Sequence, residues 1–204
     1  MTLRSTRTSR RWEYHLPLSL RTFTPIQDSM PTPLLKHIQA LDNQRGALLD
    51  GLAVLTTDDL AAKPESGGWS ILEIVEHLIL AERAILQGLP PLAELVARPR
   101  SLKNRCLYPL VVTILKLGIP VKVPSRRMLP TGMVPLTELR GQWDETYRWM
   151  RSYVASLPPD WASRAEFQHP VSGPITLTQA LRLDRLHLAT HLKQIAKLQA
   201  RRHP

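Results

Sequence analysis

The stretch LRLDRLHLATHLKQI, Leu181 to Ile195, has the pattern of one helix that carries two imidazoles. Leucines recur along it at helical spacing, and His187 and His191 lie four residues apart. Residues at positions i and i+4 of a helix project from the same face, so both side chains can approach one point. The pair is therefore either half of a metal site that needs another ligand, or two ordinary polar residues near the surface.

Three further segments upstream show the apolar periodicity of long helices. The clearest is the third, in which apolar residues from Leu136 to Leu157 recur at steps of three or four. Ser70 with Glu73 and Thr176 with Gln179 form capping boxes, which mark where two of the helices begin. The predicted helices span about 32–55, 70–89, 135–157 and 176–199. Four long helices, long loops and no alternating strand pattern predict an all-α four-helix bundle.

The N-terminal end of the chain and its middle differ from this helical pattern. Residues 1–29 are rich in Arg, Ser and Thr and show no apolar stripe, so we expect a disordered basic extension before a bundle domain at 30–204. Residues 90–134 contain seven prolines and predict one broken helix near 105–118, followed by an extended segment. No stretch reaches ~18 apolar residues, so we expect no transmembrane segment and a cytoplasmic protein.

Charge and cysteine content exclude several classes of site. The net charge is +10 with a sequence pI near 10.4, but the basic residues are scattered and form no nucleic-acid-binding signature. We therefore expect no specific nucleic-acid partner, and only the basic extension at 1–29 leaves room for an anchor to anionic lipid or nucleic acid. Cys106 is the single cysteine, which excludes an internal disulfide and a thiolate metal site.

A third imidazole lies on the second predicted helix, in the stretch WSILEIVEHLILAER. His77 is in line there with Ile74, Ala81 and Ala84, and the two alanines would allow a neighbouring backbone to approach closely. Helical bundles often hold metals between side chains of facing helices. From the residues alone, a shared metal site and a set of satisfied core histidines both remain open.

Two paired stretches resemble the DinB-like family, namely GGWSILEIVEHLILAE and HPVSGPITLTQALRLDRLHLATHLKQI. The order of elements is also similar, with one His after the W-S pair and a final helix that carries HxxxH with Q-I just beyond. The resemblance covers about residues 31–199. It implies a four-helix bundle that holds a divalent metal, often zinc or nickel, through His77, His187 and His191.

The resemblance implies a site more firmly than a reaction. Three protein ligands leave positions open for water or substrate, as in catalytic sites. Relatives include hydrolases and transferases or isomerases that use a low-molecular-weight thiol as cosubstrate, so we expect a metal-dependent enzyme acting on a small molecule, with a homodimer as one option. The alternative is a noncatalytic helical bundle that binds a small molecule or a partner and whose His cluster is vestigial or structural.

Four other polar residues are considered for a role at the site, and each also has an ordinary structural or surface interpretation. Glu73 is expected mainly to cap its helix, although it could orient His77 or act as a base. Glu76 is expected to face solvent. Asp184 lies one turn before His187 and either holds that imidazole or pairs with a nearby arginine. His169 precedes Pro170 and either lines the mouth of the site or shapes a loop.

Overall fold

Four long helices build the fold in the computed structural model of the protein, which describes residues 32–119, 121–123 and 125–201. The helices in those ranges are α1 (Thr32–Leu52), α2 (Thr57–Ala61), α3 (Ile71–Leu86), α4 (Leu102–Leu117), α5 (Leu136–Ser156) and α6 (Leu177–Ala200). The four predicted long helices correspond to α1, α3, α5 and α6, so the predicted bundle is confirmed. No helix in these ranges is long and apolar enough to cross a membrane. The extension predicted at 1–29 lies outside the described residues.

The long helices pack around one apolar core. Both α1 and α3 contact α5 and α6, which makes every neighbouring pair in the bundle contribute to a shared interior. The predicted seam of α5 faces this interior, because Leu139, Trp143, Tyr147, Met150 and Val154 are all buried. Burial of apolar area at about 25 cal/mol per Å² makes this seam the main local source of stability.

A second, smaller core lies outside the bundle on the far side of α6. It joins α4 to α6 through buried side chains that include Tyr108, Val112 and Leu183. The helix α4 begins at its cap Ser101, whose hydroxyl accepts the backbone N–H of Asn104 at 3.2 Å. A helix is therefore present where a broken one was predicted near 105–118, but it runs without a break through Pro109, and its partner is the outer face of α6.

The loop before α6 contains a β-hairpin, which the sequence patterns did not predict. Strands β1 (Ala165–His169) and β2 (Gly173–Thr176) pair antiparallel. At five and four residues they are too short to show alternation. The turn is stabilised by His169, whose Nδ1 accepts backbone N–H groups from Val171 and Ser172 at 3.2 and 3.1 Å. The contacts therefore support the loop-shaping interpretation of His169.

A bulge in β1 buries two consecutive side chains. The register shifts between Ala165 and Phe167, so Glu166 and Phe167 both lie inside instead of alternating. Glu166 is 2% exposed, and neither carboxylate oxygen has a hydrogen-bond partner in the described part of the chain. Burial raises the pKa of Glu166 to about 7.

We expect Glu166→Gln to change how stability depends on pH. Because the folded-state pKa is raised, the neutral carboxyl stabilises the fold fully below about pH 4.5, and this contribution is lost as the pH rises towards 7. Between pH 5 and pH 8 the parent protein should lose roughly 1–3 kcal/mol of unfolding free energy that the variant retains. Urea denaturation at the two pH values measures this difference. The exposed Glu65→Gln is the control, and equal pH dependence in all three proteins would contradict the expectation.

Candidate metal centre

Two capping boxes fix the starts of the helices that carry the histidines. At α3 the Ser70 hydroxyl accepts the N–H of Glu73 at 3.2 Å, and the Glu73 carboxylate accepts the N–H of Ser70 at 2.8 Å. Thr176 and Gln179 make the same reciprocal pair at the start of α6. Both predicted boxes are confirmed. These reciprocal contacts support the expectation that Glu73 caps its helix. Glu73 also forms an ion pair with Lys63 at 2.9 Å.

The structure brings His77 of α3 together with His187 and His191 of α6. One ring nitrogen from each lies within 4.8 Å of the other two, and the Nε2 atoms of His187 and His191 are 3.2 Å apart. Two ligands bound at 2.0–2.1 Å to a tetrahedral ion would be separated by about 3.3 Å. The pair on α6 matches this separation, and the third nitrogen, within 4.8 Å of both, is close enough for the set to be compatible with a single divalent ion.

Hydrogen bonds at the other ring nitrogens set the tautomers of two of these imidazoles. His77 Nδ1 lies 2.8 Å from the carbonyl oxygen of Met128, and His191 Nδ1 lies 3.0 Å from Oε1 of Gln194. An oxygen of either kind can only accept, so each Nδ1 carries the proton and each Nε2 has a free lone pair. Such outer partners are typical of metal-binding histidines.

Electrostatics keep the trio neutral in the absence of an ion. Burial lowers the pKa of His77, and it lowers the pKa of His187 to about 3 and that of His191 to about 4, with mutual repulsion adding to the effect. Near neutral pH all three rings are therefore uncharged. A metal binds the neutral imidazole through its unprotonated nitrogen, so His77 and His191 can each offer Nε2 without losing a proton.

Aromatic and backbone groups line α3 beside the trio. The ring of Trp69 lies 4.6 Å from that of His77, centre to centre, and is tilted against it. On the same helix Glu76 is buried, so the prediction that it faces solvent is wrong. Its carboxylate accepts hydrogen bonds from residues 131 and 132, which lie across α3. The segment that covers Glu76 is distant in sequence, and helical periodicity could not show it.

Two further carboxyl groups come from the helices that carry the trio, Glu82 from α3 and Asp184 from α6. Trp143 Nε1 donates to Oε2 of buried Glu82 at 2.6 Å, whereas Oε1 has no partner within the described residues. Burial raises the pKa of Glu82, and the nearby charge of Asp184 raises it further. Burial raises the pKa of Asp184 itself to about 7. Asp184 is thus close enough to act on the charge of Glu82, an arrangement absent from both sequence-based interpretations of this residue.

An arginine on α1 adds a positive charge to this part of the interior. Arg45 is buried, forms ion pairs with Asp42 and Asp144, and lies 4.7 Å above the ring centre of Tyr147. Its charge partly opposes the raised pKa of Glu82. All four long helices therefore contribute a polar or aromatic group to this part of the interior.

Comparisons with known proteins agree with this architecture. The family model of the DinB superfamily matches residues 40–195. YfiT from Bacillus subtilis, described as a probable metal-dependent hydrolase with an unusual four-helix bundle topology, has a solved structure that superposes with a TM-score of 0.55. It shares 20% identity with this chain, and the match covers 90% of this chain and 95% of YfiT. No curated protein matches significantly. On the extent of the family match, the chain belongs to the DinB superfamily.

Proposed function

We propose that His77, His187 and His191 hold one divalent metal ion and that the protein is a metal-dependent enzyme acting on a small molecule. The observation that carries the proposal is the convergence of three neutral imidazole nitrogens within 4.8 Å from two helices. Imidazole ligands suit zinc and nickel, which are the ions we propose. The alternative of a noncatalytic bundle predicts no activity that depends on a metal.

We propose hydrolysis as the reaction, with thiol-dependent transfer as the second candidate. The description of YfiT as a metal-dependent hydrolase favours the first. A divalent ion bound by three protein ligands would supply Lewis-acid chemistry at its open positions. The chain itself contributes the fixed tautomers of His77 and His191, which hold their lone pairs ready for the ion.

Activity should appear only with the metal present. Protein purified without a His tag is expected to contain about one zinc or nickel ion per chain. A panel of small ester and amide substrates, assayed with and without a low-molecular-weight thiol, separates hydrolysis from thiol transfer. Chelation should abolish any turnover, and addition of the same ion should restore it. Metal-loaded protein that turns over nothing in either panel would favour the noncatalytic alternative.

A further inference from the structure

The segment 125–134, here called the strap, connects the region after α4 to α5 and crosses α3 beside the His trio. Its 3-10 turn at Arg126–Met128 packs directly against α3. Gly132 allows the close approach, because a Cβ at this position would lie 2.9 Å from Cγ of Glu73. The backbone there has φ +70°, a conformation that also favours glycine.

One carboxylate of α3 attaches the strap. Glu76 is 5% exposed, and its Oε2 accepts the backbone N–H groups of Thr131 at 2.8 Å and Gly132 at 2.7 Å. Its Oε1 accepts the hydroxyl of Thr131 at 2.9 Å. A buried carboxylate needs such partners, and hydrogen bonds to a charged acceptor are stronger than those between neutral groups. Glu76 is thus the main polar attachment of this end of the strap.

An earlier residue of the strap contacts His77, the residue that follows Glu76 on α3. Met128, three residues before Thr131, presents its carbonyl oxygen to Nδ1 of His77 at 2.8 Å. Because this contact keeps the proton on Nδ1, Nε2 of His77 retains the lone pair that could bind a metal. The Met128 carbonyl lies on the same short segment as the three hydrogen bonds to Glu76, and the 3-10 turn that contains Met128 packs on α3 as well.

We infer that Glu76 is a positioning residue for the metal centre, acting through the strap to hold the Met128 carbonyl against His77. The inference rests on the proposed metal site. Glu76 touches neither the ion nor a substrate. Its effect is to select the His77 tautomer and ring orientation that present Nε2 to the other two imidazoles.

Two substitutions separate positioning from simple stability. Glu76→Ala removes all three acceptors and should weaken zinc binding about 10- to 100-fold, the range found when outer partners of ligands are removed. Glu76→Gln keeps an oxygen for the two backbone donors and an amide beside the Thr131 hydroxyl, and it should stay within about 3-fold of the parent protein. Leu49→Ala is the control, because it removes a buried α1 side chain and leaves the strap contacts intact.

The tautomer of His77 gives a readout that needs no metal. Nitrogen-15 NMR of the metal-free protein should show the Nδ1–H form in the parent protein, in Glu76→Gln and in Leu49→Ala, and a mixture of both forms in Glu76→Ala. If Glu76→Ala fails to fold, Thr131→Ala replaces it, since Thr131 is exposed and its hydroxyl donates to Glu76. That variant loses one of the three hydrogen bonds to Glu76, so a smaller population of the Nε2–H form of His77 should appear, which Glu76→Gln should not show.

The outcomes distinguish failure of the proposed metal site from failure of the positioning role of Glu76. Parent protein that binds no zinc in a chelator-competition titration overturns the proposed metal site, whatever the NMR shows. Parent protein that binds zinc, with unchanged affinity and tautomer in Glu76→Ala, or in its Thr131→Ala replacement, overturns the positioning role alone. An affinity loss in Leu49→Ala equal to that in Glu76→Ala, without a tautomer change in either, also overturns it.

Discussion

Replacing His187 with alanine is expected to eliminate stoichiometric metal binding. The same result is expected for alanine at His77 or His191, because a three-ligand site that loses one imidazole keeps only two protein bonds to the ion. Loss of a direct ligand should exceed the 10- to 100-fold effect typical of an outer partner, so we expect at least about a 100-fold weaker affinity for each variant. Elemental analysis after dialysis and competition with a chromogenic chelator measure both quantities.

A matched control for these variants is available on α1. His37 is partly exposed and lies outside the trio, so His37→Ala should keep the metal content and affinity of the parent protein. If one of the three trio variants retains a full equivalent of metal at parental affinity, that residue is not a ligand. If all three do, the ion binds elsewhere and the proposed site is wrong.

The largest expected loss of stability follows from Trp143→Ala. Trp143 is fully buried in the α5 seam, and its indole N–H is the hydrogen-bond donor to Glu82. Large-to-small substitution of a buried tryptophan costs about 3–5 kcal/mol, and an unsatisfied buried acceptor adds roughly 1–3 kcal/mol. For a chain of this size, each kcal/mol lowers Tm by about 2–4 °C, so we expect a decrease of at least about 10 °C by calorimetry.

Two phenylalanine variants separate the packing of Trp143 from its hydrogen bond. Trp143→Phe keeps an aromatic ring but removes the donor to Glu82, and it should cost about 1–3 kcal/mol. Trp149→Phe removes an indole N–H that has no partner among the described residues, so its cost should be smaller. Equal losses in the two variants would show that the Glu82 hydrogen bond contributes nothing measurable to stability.

Periodicity predicted the helices well because the burial pattern of a helix is visible in the spacing of its own apolar residues. The α5 seam and the two capping boxes depend on residues three or four positions apart, which a single chain displays directly. The approach of His77 to His187 and His191 needed more than spacing. Spacing placed two imidazoles on one helical face and made His77 a candidate on a facing helix, whereas the family resemblance implied that the three share one ion.

Features that depend on long-range packing could not be predicted in this way. The hairpin at Ala165–Thr176 has strands too short for a period-two pattern, and its bulge breaks the alternation further. Glu76 carries a carboxylate, a group that is mostly exposed in proteins, so only the strap shows that it is buried. Glu82 and Asp184 come from distant parts of the chain, and nothing in either stretch indicates that they are close.

The placement of the three imidazoles has a consequence for the unfolded chain. More than half of the sequence separates His77 from the pair on α6. An ion shared by all three would close a very long loop, and closing a loop restricts the chain's freedom at a cost that grows only slowly with loop length. Bound metal would therefore act as a reversible crosslink between distant segments, and by mass action the free ion concentration would set how tightly the whole chain stays folded.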